Sequence, residues 1–335
     1  MTYDLSSFED LCDRVSRSRI VMVLGKTDTG KSTLIRRLSE DVPVTIIDSD
    51  IGQSDIGPPS VVSRGRLIDG ISVMEDGYFV GSVTPAGHLL QLIAGVSRMT
   101  ARAGDGPVVI NTCGLITGDM GRALKTEKIN SVKPDMLVLI DQDNDLSYID
   151  AFTGSGVEVH RFSPAPGVRV KSKSERLYLR AKAFREHFSN ALESSVTLDN
   201  VYIERSLLNN GERIDPAMLP DDLRRHVVHV EMAGGEAIVI FERAISDLDR
   251  IAASVGADLI QAFVTDDFLD LVTGIYDDSG RFQGLGIIKS IDFRKGRINL
   301  YSPAQQFSVL QPGSIKLNHN YYPISGRFTP VTYRL

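Results

Sequence analysis

Glycine, lysine and hydroxyl residues at fixed spacing near the start of the chain form a pattern that could bind phosphate. Residues 25–32 read G-K-T-D-T-G-K-S and directly follow an apolar run at residues 20–24. In such a loop successive backbone N–H groups point at the anion, and the dipole of the following helix, predicted over residues 31–38, adds to the attraction. Lys31 is expected to reach the β- and γ-phosphates of a nucleotide, and Ser32 to ligate Mg²⁺. The predicted nucleotide-binding residues are Gly25, Lys26, Thr27, Asp28, Thr29, Gly30, Lys31 and Ser32.

Two aspartates and a glutamine follow the second apolar run, where residues 46–53 read I-I-D-S-D-I-G-Q. Side chains at the carboxyl end of a parallel strand lie on the edge of the sheet where ligands of open α/β folds bind. Asp48 is placed to hold Mg²⁺ or its waters, and Asp50 could accept a proton from an attacking hydroxyl. Gln53 could orient the nucleophile or the metal shell. The spacing also fits one aspartate near the metal and the other as a loop cap.

Two further polar segments are predicted at this edge. Residues 111–115, N-T-C-G-L, follow the third apolar run, and residues 81–88 precede a predicted helix. The simplest interpretation of the second segment is a capped helix start, with Thr84 as the cap and Pro85 in the first turn. Asp141 ends the fourth apolar run, near the place where P-loop proteins often contact the base.

A basic cluster lies in the middle of an acidic chain. Eight cations and a single acid, Glu175, occupy residues 161–185, although the net charge of the protein is −6. The cations are Arg161, Arg169, Lys171, Lys173, Arg176, Arg180, Lys182 and Arg185. An isolated run of this kind is usually a solvated helix face. Together with a phosphate loop elsewhere, it favours a site that handles phosphate.

Composition limits the class of protein. The 335 residues are enough for two cores, and 42% hydrophobic with 24% charged residues is ordinary for a soluble protein. No run is long enough to span a bilayer, and the N-terminal stretch carries Glu9, Asp10 and Asp13 instead of a basic and then apolar leader, so we expect a cytoplasmic protein. Only Cys12 and Cys113 are present, and their spacing predicts neither a disulfide framework nor zinc.

The order of apolar runs predicts an α/β fold. Continuous runs at residues 20–24, 44–47, 108–110, 136–140 and, more weakly, 157–160 alternate with helix-length segments at residues 31–38, 88–101 and 120–129. This rhythm indicates a parallel sheet flanked by helices, with a small β meander at residues 61–83 on its edge. After residue 195 turn signals join hairpin-like segments, interrupted by one helix at residues 245–255. We therefore predict a P-loop NTPase domain over residues 1–195 and a smaller, mostly β domain over residues 196–335.

Taken together, these motifs resemble the polynucleotide 5'-hydroxyl kinases, a family that includes the kinase subunit of the pre-mRNA cleavage machinery and the kinases of ribosomal RNA processing. The resemblance rests on T-D-x-G-K-S-T at residues 27–33, D-x-G-Q at 50–53, T-P-x-G at 84–87, N-T-C-G at 111–114 and the basic segment. It covers most of residues 18–192 in the same order and continues more weakly into residues 284–318. Five ordered motifs are far more specific than one loop.

The resemblance implies transfer of the ATP γ-phosphate to the 5'-hydroxyl of RNA or DNA with Mg²⁺, RNA being favoured as the partner and GTP a second candidate donor. Thr33 joins Lys31 and Ser32 in the nucleotide loop, and Asp50 falls on the position of the general base with Gln53 as its partner. Residues 169–188 resemble a mobile lid. The catalytic residues implied are Lys31, Asp50, Gln53, Arg180 and Arg185. The residues implied for the substrate are Thr84, Pro85, Gly87, Asn111, Thr112, Leu115 and Arg176, the last because it precedes Arg180 by one helical turn.

The chain departs from the family in two places. Eukaryotic members carry Trp after N-T-C-G, on which a base can stack, whereas this chain has Leu115. The phosphate loop also begins at residue 25, so we expect no separate N-terminal domain of the kind found in larger members. On a straight helix Arg180 and Arg185 point about 140° apart, and serving one phosphate would need a bend or a fork between them.

Three other functions remain open from the sequence. A regulatory ATPase of the septum-positioning or cluster-scaffold class carries a signature lysine at the spacing of Lys26 from Lys31. That class prefers two glycines where this chain has T-D. Its membrane-docking members end in an amphipathic helix, whereas residues 326–335 of this chain are β-like. A GTP-binding switch lacks its N-K-x-D motif after the fourth run. A non-catalytic nucleic-acid-binding module would be favoured if Asp50 were dispensable.

Overall fold

The computed structural model describes residues 5–164, 167–324 and 330–334. The α-helices among them are α1 (Leu5–Arg17), α2 (Lys31–Asp41), α3 (Leu89–Ala101), α4 (Gly118–Val132), α5 (Lys173–His187), α6 (Asp221–Arg224) and α7 (Leu248–Val255). The strands are β1 (Ile20–Gly25), β2 (Thr45–Ser49), β3 (Val61–Ile68), β4 (Ile71–Phe79), β5 (Val108–Thr112), β6 (Met136–Ile140), β7 (Glu158–Phe162), β8 (Leu192–Thr197), β9 (Tyr202–Ile203), β10 (Glu212–Arg213), β11 (Val227–Ala233), β12 (Glu236–Phe241), β13 (Leu259–Val264), β14 (Leu271–Tyr276), β15 (Phe282–Asp292), β16 (Arg297–Ser302), β17 (Val309–Leu317), β18 (Pro323–Ile324) and β19 (Val331–Arg334). Residues 1–4 of the N-terminal stretch and residues 325–329 and 335 of the predicted C-terminal β segment lie outside the described residues. The chain divides into two units, Met1–Phe184 and Arg185–Leu335.

The first unit is built on one seven-stranded sheet in the order β4-β3-β2-β5-β1-β6-β7. Strands β2, β5, β1, β6 and β7 are parallel, because helices connect them, and β3 with β4 forms an antiparallel hairpin at the edge. The predicted α/β fold with its edge meander is confirmed. Gly25 pairs with Ile140, and Ser49 with Thr112, so the loops after these strands leave the sheet at the same edge.

Both faces of this sheet are covered, which explains the continuous apolar runs. On one face Met22, Ile110 and Leu137 belong to a core with residues of α3 and α4. On the other face Val21 and Val138 belong to a second core with residues of α1 and α2. A strand that is buried on both sides shows a continuous apolar run instead of alternation, because the side chains on both faces pack into a core.

The second unit contains two sheets and is mostly β, as predicted. Five strands run in the order β10-β11-β12-β13-β19, and a seven-stranded sheet runs β18-β17-β14-β15-β16-β8, with β9 beside β17. Turns at residues 234–235, 277–280 and 294–296 join antiparallel neighbours as predicted. The predicted interrupting helix is α7, which begins at Leu248 instead of residue 245 and connects β12 to β13 as parallel neighbours.

The division of the chain comes earlier than the predicted boundary at residue 195. Strand β8 pairs antiparallel with β16, so residues 192–197 belong to the sheet of the second unit. These residues read L-E-S-S-V-T, and no strand was predicted for them because the pattern contains no long apolar run. None of the described helices combines the length and the apolar character needed to cross a membrane.

Candidate active site

The phosphate loop joins β1 to α2 in the geometry that an anion requires. The residue before α2, Gly30, has φ of 96°, a conformation that glycine adopts without strain, and no described side chain caps the helix. The first N–H groups of α2 are therefore available to a ligand. At Gly25 a Cβ would lie 2.7 Å from the carbonyl oxygen of Ile140 and 2.8 Å from Thr29 Oγ1, so only glycine fits where the strand enters the loop.

Lys31 lies inside this loop. Its Nζ donates a hydrogen bond of 2.6 Å to the carbonyl of Lys26, and the side chain is 7% exposed. Burial lowers the pKa of Lys31 to about 8, while the charge of Asp50 opposes that shift. An ammonium that has only a neutral carbonyl as partner gains strongly from an anionic phosphate, because charge-assisted hydrogen bonds are about twice as strong as neutral ones.

Asp48 organises the loop that follows β2. Its carboxylate is buried and accepts hydrogen bonds from five donors, three of them backbone N–H groups. These donors are Asp50 N, Asn111 Nδ2, Ser54 Oγ, Asp55 N and Ile56 N, at 2.6 to 3.2 Å. Burial raises the pKa of Asp48 to about 7, whereas the backbone donors favour the ionised form. These bonds make Asp48 the cap of its loop, and its role near the metal stays a prediction.

Asp50 is half-buried and keeps one oxygen free. Its Oδ1 accepts from the backbone N–H groups of Gly52 and Gln53, each at 3.2 Å. Within the described part of the chain, Oδ2 accepts no hydrogen bond, so it can take up a proton. The turn thus holds the carboxylate in place through Oδ1 and leaves Oδ2 available to accept a proton.

A small cavity beside α2 is the place where Mg²⁺ would fit. Ser32, Asp48, Asp55 and Asn111 line it together with Arg36 and apolar side chains. Asn111 Oδ1 is buried and has no hydrogen-bond partner in the ranges described, which leaves one acceptor for a bound cation or its waters. Among the described residues no three His, Cys, Asp or Glu side chains form a metal cluster, so the site would share the cation with the nucleotide phosphates, as Mg²⁺ sites commonly do.

The N-T-C-G segment after β5 divides into structural and site-facing residues. Thr112 is fully buried, and its hydroxyl donates to the carbonyl of Val23 at 2.8 Å, so it joins β5 to β1. Leu115 packs against the core under α3 and α4. Gly114 lies against the phosphate loop, where a Cβ would be 2.1 Å from Thr27 Oγ1. The backbone of this segment, more than its side chains, supports the loop.

Gly114→Ala is expected to displace the phosphate loop, because the added Cβ would also lie 2.3 Å from the backbone nitrogen of Thr27. We expect nucleotide affinity to fall about tenfold and unfolding free energy to fall by about 1–3 kcal/mol, the usual cost of overpacking. Titration with an ATP analogue and thermal unfolding measure both effects. Gly154→Ala is the control, since its Cβ would meet nothing within 4 Å. Equal nucleotide affinity in the two variants would contradict the role of Gly114 in supporting the phosphate loop.

The segment at residues 84–87 is not the start of α3. The helix begins at Leu89 with His88 before it, and His88 N donates to Pro85 O, closing a separate turn. The prediction of Thr84 as a helix cap was wrong, since the turn and Gly87, with φ of 78°, intervene. Thr84 and Gly87 are exposed. They follow β4, which runs in the same direction as β2, so they lie at the end of the sheet where β2 also ends.

Helix α5 contacts both site loops within the first unit. Arg176 Nη2 and the backbone nitrogen of Lys171 donate to Asp28 Oδ2 at 2.6 and 3.0 Å, and Asp28 itself has a positive φ of 58°. Gln53 Nε2 donates to the carbonyl of Arg176 at 3.0 Å. Arg176, predicted for the substrate, is thus bound to Asp28 of the phosphate loop. Gln53, predicted as catalytic, is bound to the backbone of α5.

The two predicted lid arginines lie in different surroundings. Arg180 is half-buried, its Nε donates to the carbonyl of Gly52 at 3.0 Å, and burial lowers its pKa against the charge of Asp50. Arg185 belongs to the second unit and donates to the carbonyl of Asn320 at 3.3 Å. The structure therefore places Arg180 beside the Asp50 loop, while the role of Arg185 stays a prediction.

Two functional candidates were missed by the sequence interpretation. Lys125 and Lys128 are fully buried on α4. The signal was available, since the buried residues of α4 include Gly121, Leu124 and Val132 at helical spacing and both lysines fall within that stripe.

A larger cavity of about 540 Å³ lies on the other side of the phosphate loop. It is lined by Lys26, Thr27, Asp28, Thr29, Ile140, Asp141, Gln142, Asp143, Asp145, Ser163, Pro164, Gly167 and Val168. This size suits a nucleoside. Asp141 accepts hydrogen bonds from the backbone nitrogens of Asp145 and Leu146, which orders the wall of the cavity. Lys26 forms ion pairs with Asp143 and Asp145 of its own chain.

Comparison with known proteins places this geometry in context. Residues 25–190 match the family described as mRNA cleavage and polyadenylation factor CLP1 P-loop. A polyribonucleotide 5'-hydroxyl-kinase of Pyrococcus abyssi is 30% identical over 303 residues, which cover 86% of this chain and 84% of the relative. One of Pyrococcus furiosus is 28% identical over 325 residues, covering 91% and 90%. The solved structure of a wild-type Clp1p–Pcf11p complex matches with a TM-score of 0.63 at 11% identity over 93% of this chain and 79% of that one, so the two share a fold.

Proposed function

The chain belongs to the family of polyribonucleotide 5'-hydroxyl-kinases that carry the CLP1 P-loop, and on this basis we propose that it transfers the γ-phosphate of ATP to the 5'-hydroxyl end of RNA. The observation that carries the proposal is the free Oδ2 of Asp50, whose carboxylate charge acts on both Lys31 of the phosphate loop and Arg180. A base, a phosphate cradle and a cation on one sheet edge are the parts that phosphoryl transfer needs.

The proposed reaction is an in-line displacement at the γ-phosphorus. Lys31 and the N–H groups at the start of α2 bind the β- and γ-phosphates. Asp50 accepts the proton of the 5'-hydroxyl while the oxygen of that hydroxyl forms its bond to the γ-phosphorus. The bond from the γ-phosphorus to the bridging oxygen breaks and ADP leaves. Arg180 balances the charge on the moving phosphoryl group. Bound Mg²⁺, held by Ser32 and through water by Asp48 and Asn111, would neutralise charge on the β- and γ-phosphates.

The exposed turn at residues 84–87 and the basic lid are proposed to hold the RNA end. Thr84, Pro85 and Gly87 lie at the sheet edge where the acceptor must approach, and Arg176 supplies a nearby cation. Leu115 packs into the core and offers no aromatic face. Without an aromatic side chain at this position the first base of the RNA has no surface on which to stack. We therefore expect little preference for the identity of that base.

Incubation of the purified protein with γ-labelled ATP, Mg²⁺ and a 5'-hydroxyl oligoribonucleotide tests the proposal. We expect label on the oligonucleotide, with a 5'-phosphorylated oligonucleotide as the unreactive control. Matched DNA and RNA oligonucleotides measure the preference between them. Label that appears only in free phosphate would contradict the kinase proposal and favour the regulatory ATPase.

A further inference from the structure

We propose that Lys125 and Lys128 form a buried cationic support beneath the phosphoryl-transfer site, where their charges stabilise the bound phosphates without touching them. The two are positioning residues, and the inference rests on the proposed kinase function. It begins from their burial and from the groups that they contact.

Both ammonium groups lie in the interior without a carboxylate in hydrogen-bond contact. Lys125 Nζ donates to the carbonyl of Cys113 at 2.5 Å and lies 3.7 Å from the sulfur of the same residue, and Lys128 Nζ donates to Ser49 Oγ at 2.8 Å. Both side chains are fully buried, and in the part of the chain that the structure describes neither forms an ion pair. Lysine is almost never fully buried without a charged partner, because removing an ammonium from water costs several kcal/mol.

Their contacts lead directly to the loops of the site. Ser49 stands between Asp48 and Asp50, and its hydroxyl donates to the carbonyl of Asn111 at 2.6 Å. Lys128 thus joins α4 to the carboxyl ends of β2 and β5. Lys125 holds the carbonyl of Cys113, directly before the glycine that lies against the phosphate loop.

The charges of the site already act on one another. Burial lowers the pKa of Lys128 to about 7, and the interactions with Cys113, Asp50 and Asp48 oppose that shift. The charge of Lys125 adds to the lowering of the pKa of Lys31. The cluster sets three buried lysines, Lys31, Lys125 and Lys128, against the two carboxylates of Asp48 and Asp50, so it is short of negative charge. Polyphosphate is the ligand class that supplies it, and interactions in a water-poor site are strong.

A support of this kind predicts opposite effects on stability and activity. Removing an unpaired buried charge relieves its desolvation cost, so Lys125→Met and Lys128→Met should leave the unfolding temperature of the nucleotide-free protein unchanged or raise it. The same changes should lower kcat about tenfold or more and at least halve the rise in unfolding temperature caused by a non-hydrolysable ATP analogue with Mg²⁺. Such a separation is typical of residues kept for function.

The experiment measures three quantities on the full chain: nucleotide-free unfolding temperature, the analogue-induced shift and kcat. Arg122→Met, which removes an exposed cation from the same helix, is the control and should resemble the parent protein in all three. Lys125→Gln and Lys128→Gln retain an N–H donor without the charge and should behave as the Met variants do; they decide the matter if a Met variant fails to fold.

Variants that bind the analogue and turn over like the parent protein would overturn the inference, as would a loss of kcat explained wholly by a lower unfolding temperature. If the parent protein itself transfers no phosphate, the proposed function fails. The analogue-induced shift still tests the lysines in that case, so the two failures are distinguishable.

Discussion

Asp50→Asn is expected to abolish transfer to RNA while ATP binding remains nearly intact. The amide keeps an oxygen that accepts from the N–H groups of Gly52 and Gln53, so the turn survives. It cannot accept the proton of the 5'-hydroxyl, and loss of a general base costs about 10²–10⁴-fold in rate. Single-turnover transfer with labelled ATP measures the loss, and titration with an ATP analogue measures binding.

The control for Asp50 is Asp105→Asn, because Asp105 is exposed and precedes β5, at the end of the sheet away from the site loops. We expect that variant to keep transfer within a few-fold of the parent protein. Unchanged turnover in Asp50→Asn would remove Asp50 from the role of base and would favour a nucleic-acid-binding module.

Arg180→Met is expected to lower kcat about 10²–10³-fold, the range seen when one preorganised donor to a transition state is removed. The guanidinium is held beside the Asp50 loop by its bond to the carbonyl of Gly52. Its positive charge is needed most when the phosphoryl group is in transit, so KM for ATP should change much less than kcat.

Arg185→Met is the matched variant for Arg180. The structure gives its guanidinium a partner in the second unit, the carbonyl of Asn320, so we expect a loss of less than tenfold. Steady-state kinetics of both variants with the same oligoribonucleotide provide the test. Equal losses would show that both arginines serve one phosphate, as the family resemblance implied.

Much of the fold could be predicted because its signals are local. Runs such as residues 136–140 are apolar throughout, which indicates a strand buried on both faces. The phosphate loop is a fixed octapeptide between a strand and a helix. The parallel pairing of β12 and β13 was not predicted, because strand direction there depends on the crossover through α7 and strand sequences alone do not encode it.

The site was only partly predictable, because a residue type does not specify its partners. Asp48 lines the cavity where Mg²⁺ is proposed, but its residue type did not reveal that five donors also make it the organiser of its loop. Thr112 was expected to face the substrate, and its hydroxyl joins two strands. Lys125 and Lys128 look like ordinary helix surface residues until the buried stripe of α4 is traced through them.

The bond between Arg176 and Asp28 has a thermodynamic consequence. Asp28 belongs to the loop that must receive the nucleotide, and Arg176 belongs to the helix over it. Two equilibria that share a group are linked, so a nucleotide that weakens this ion pair is itself bound more weakly by the same factor, and one that tightens it is bound more strongly. The affinity of the protein for ATP and the equilibrium between the closed and broken Arg176–Asp28 ion pair are therefore joined by one coupling free energy.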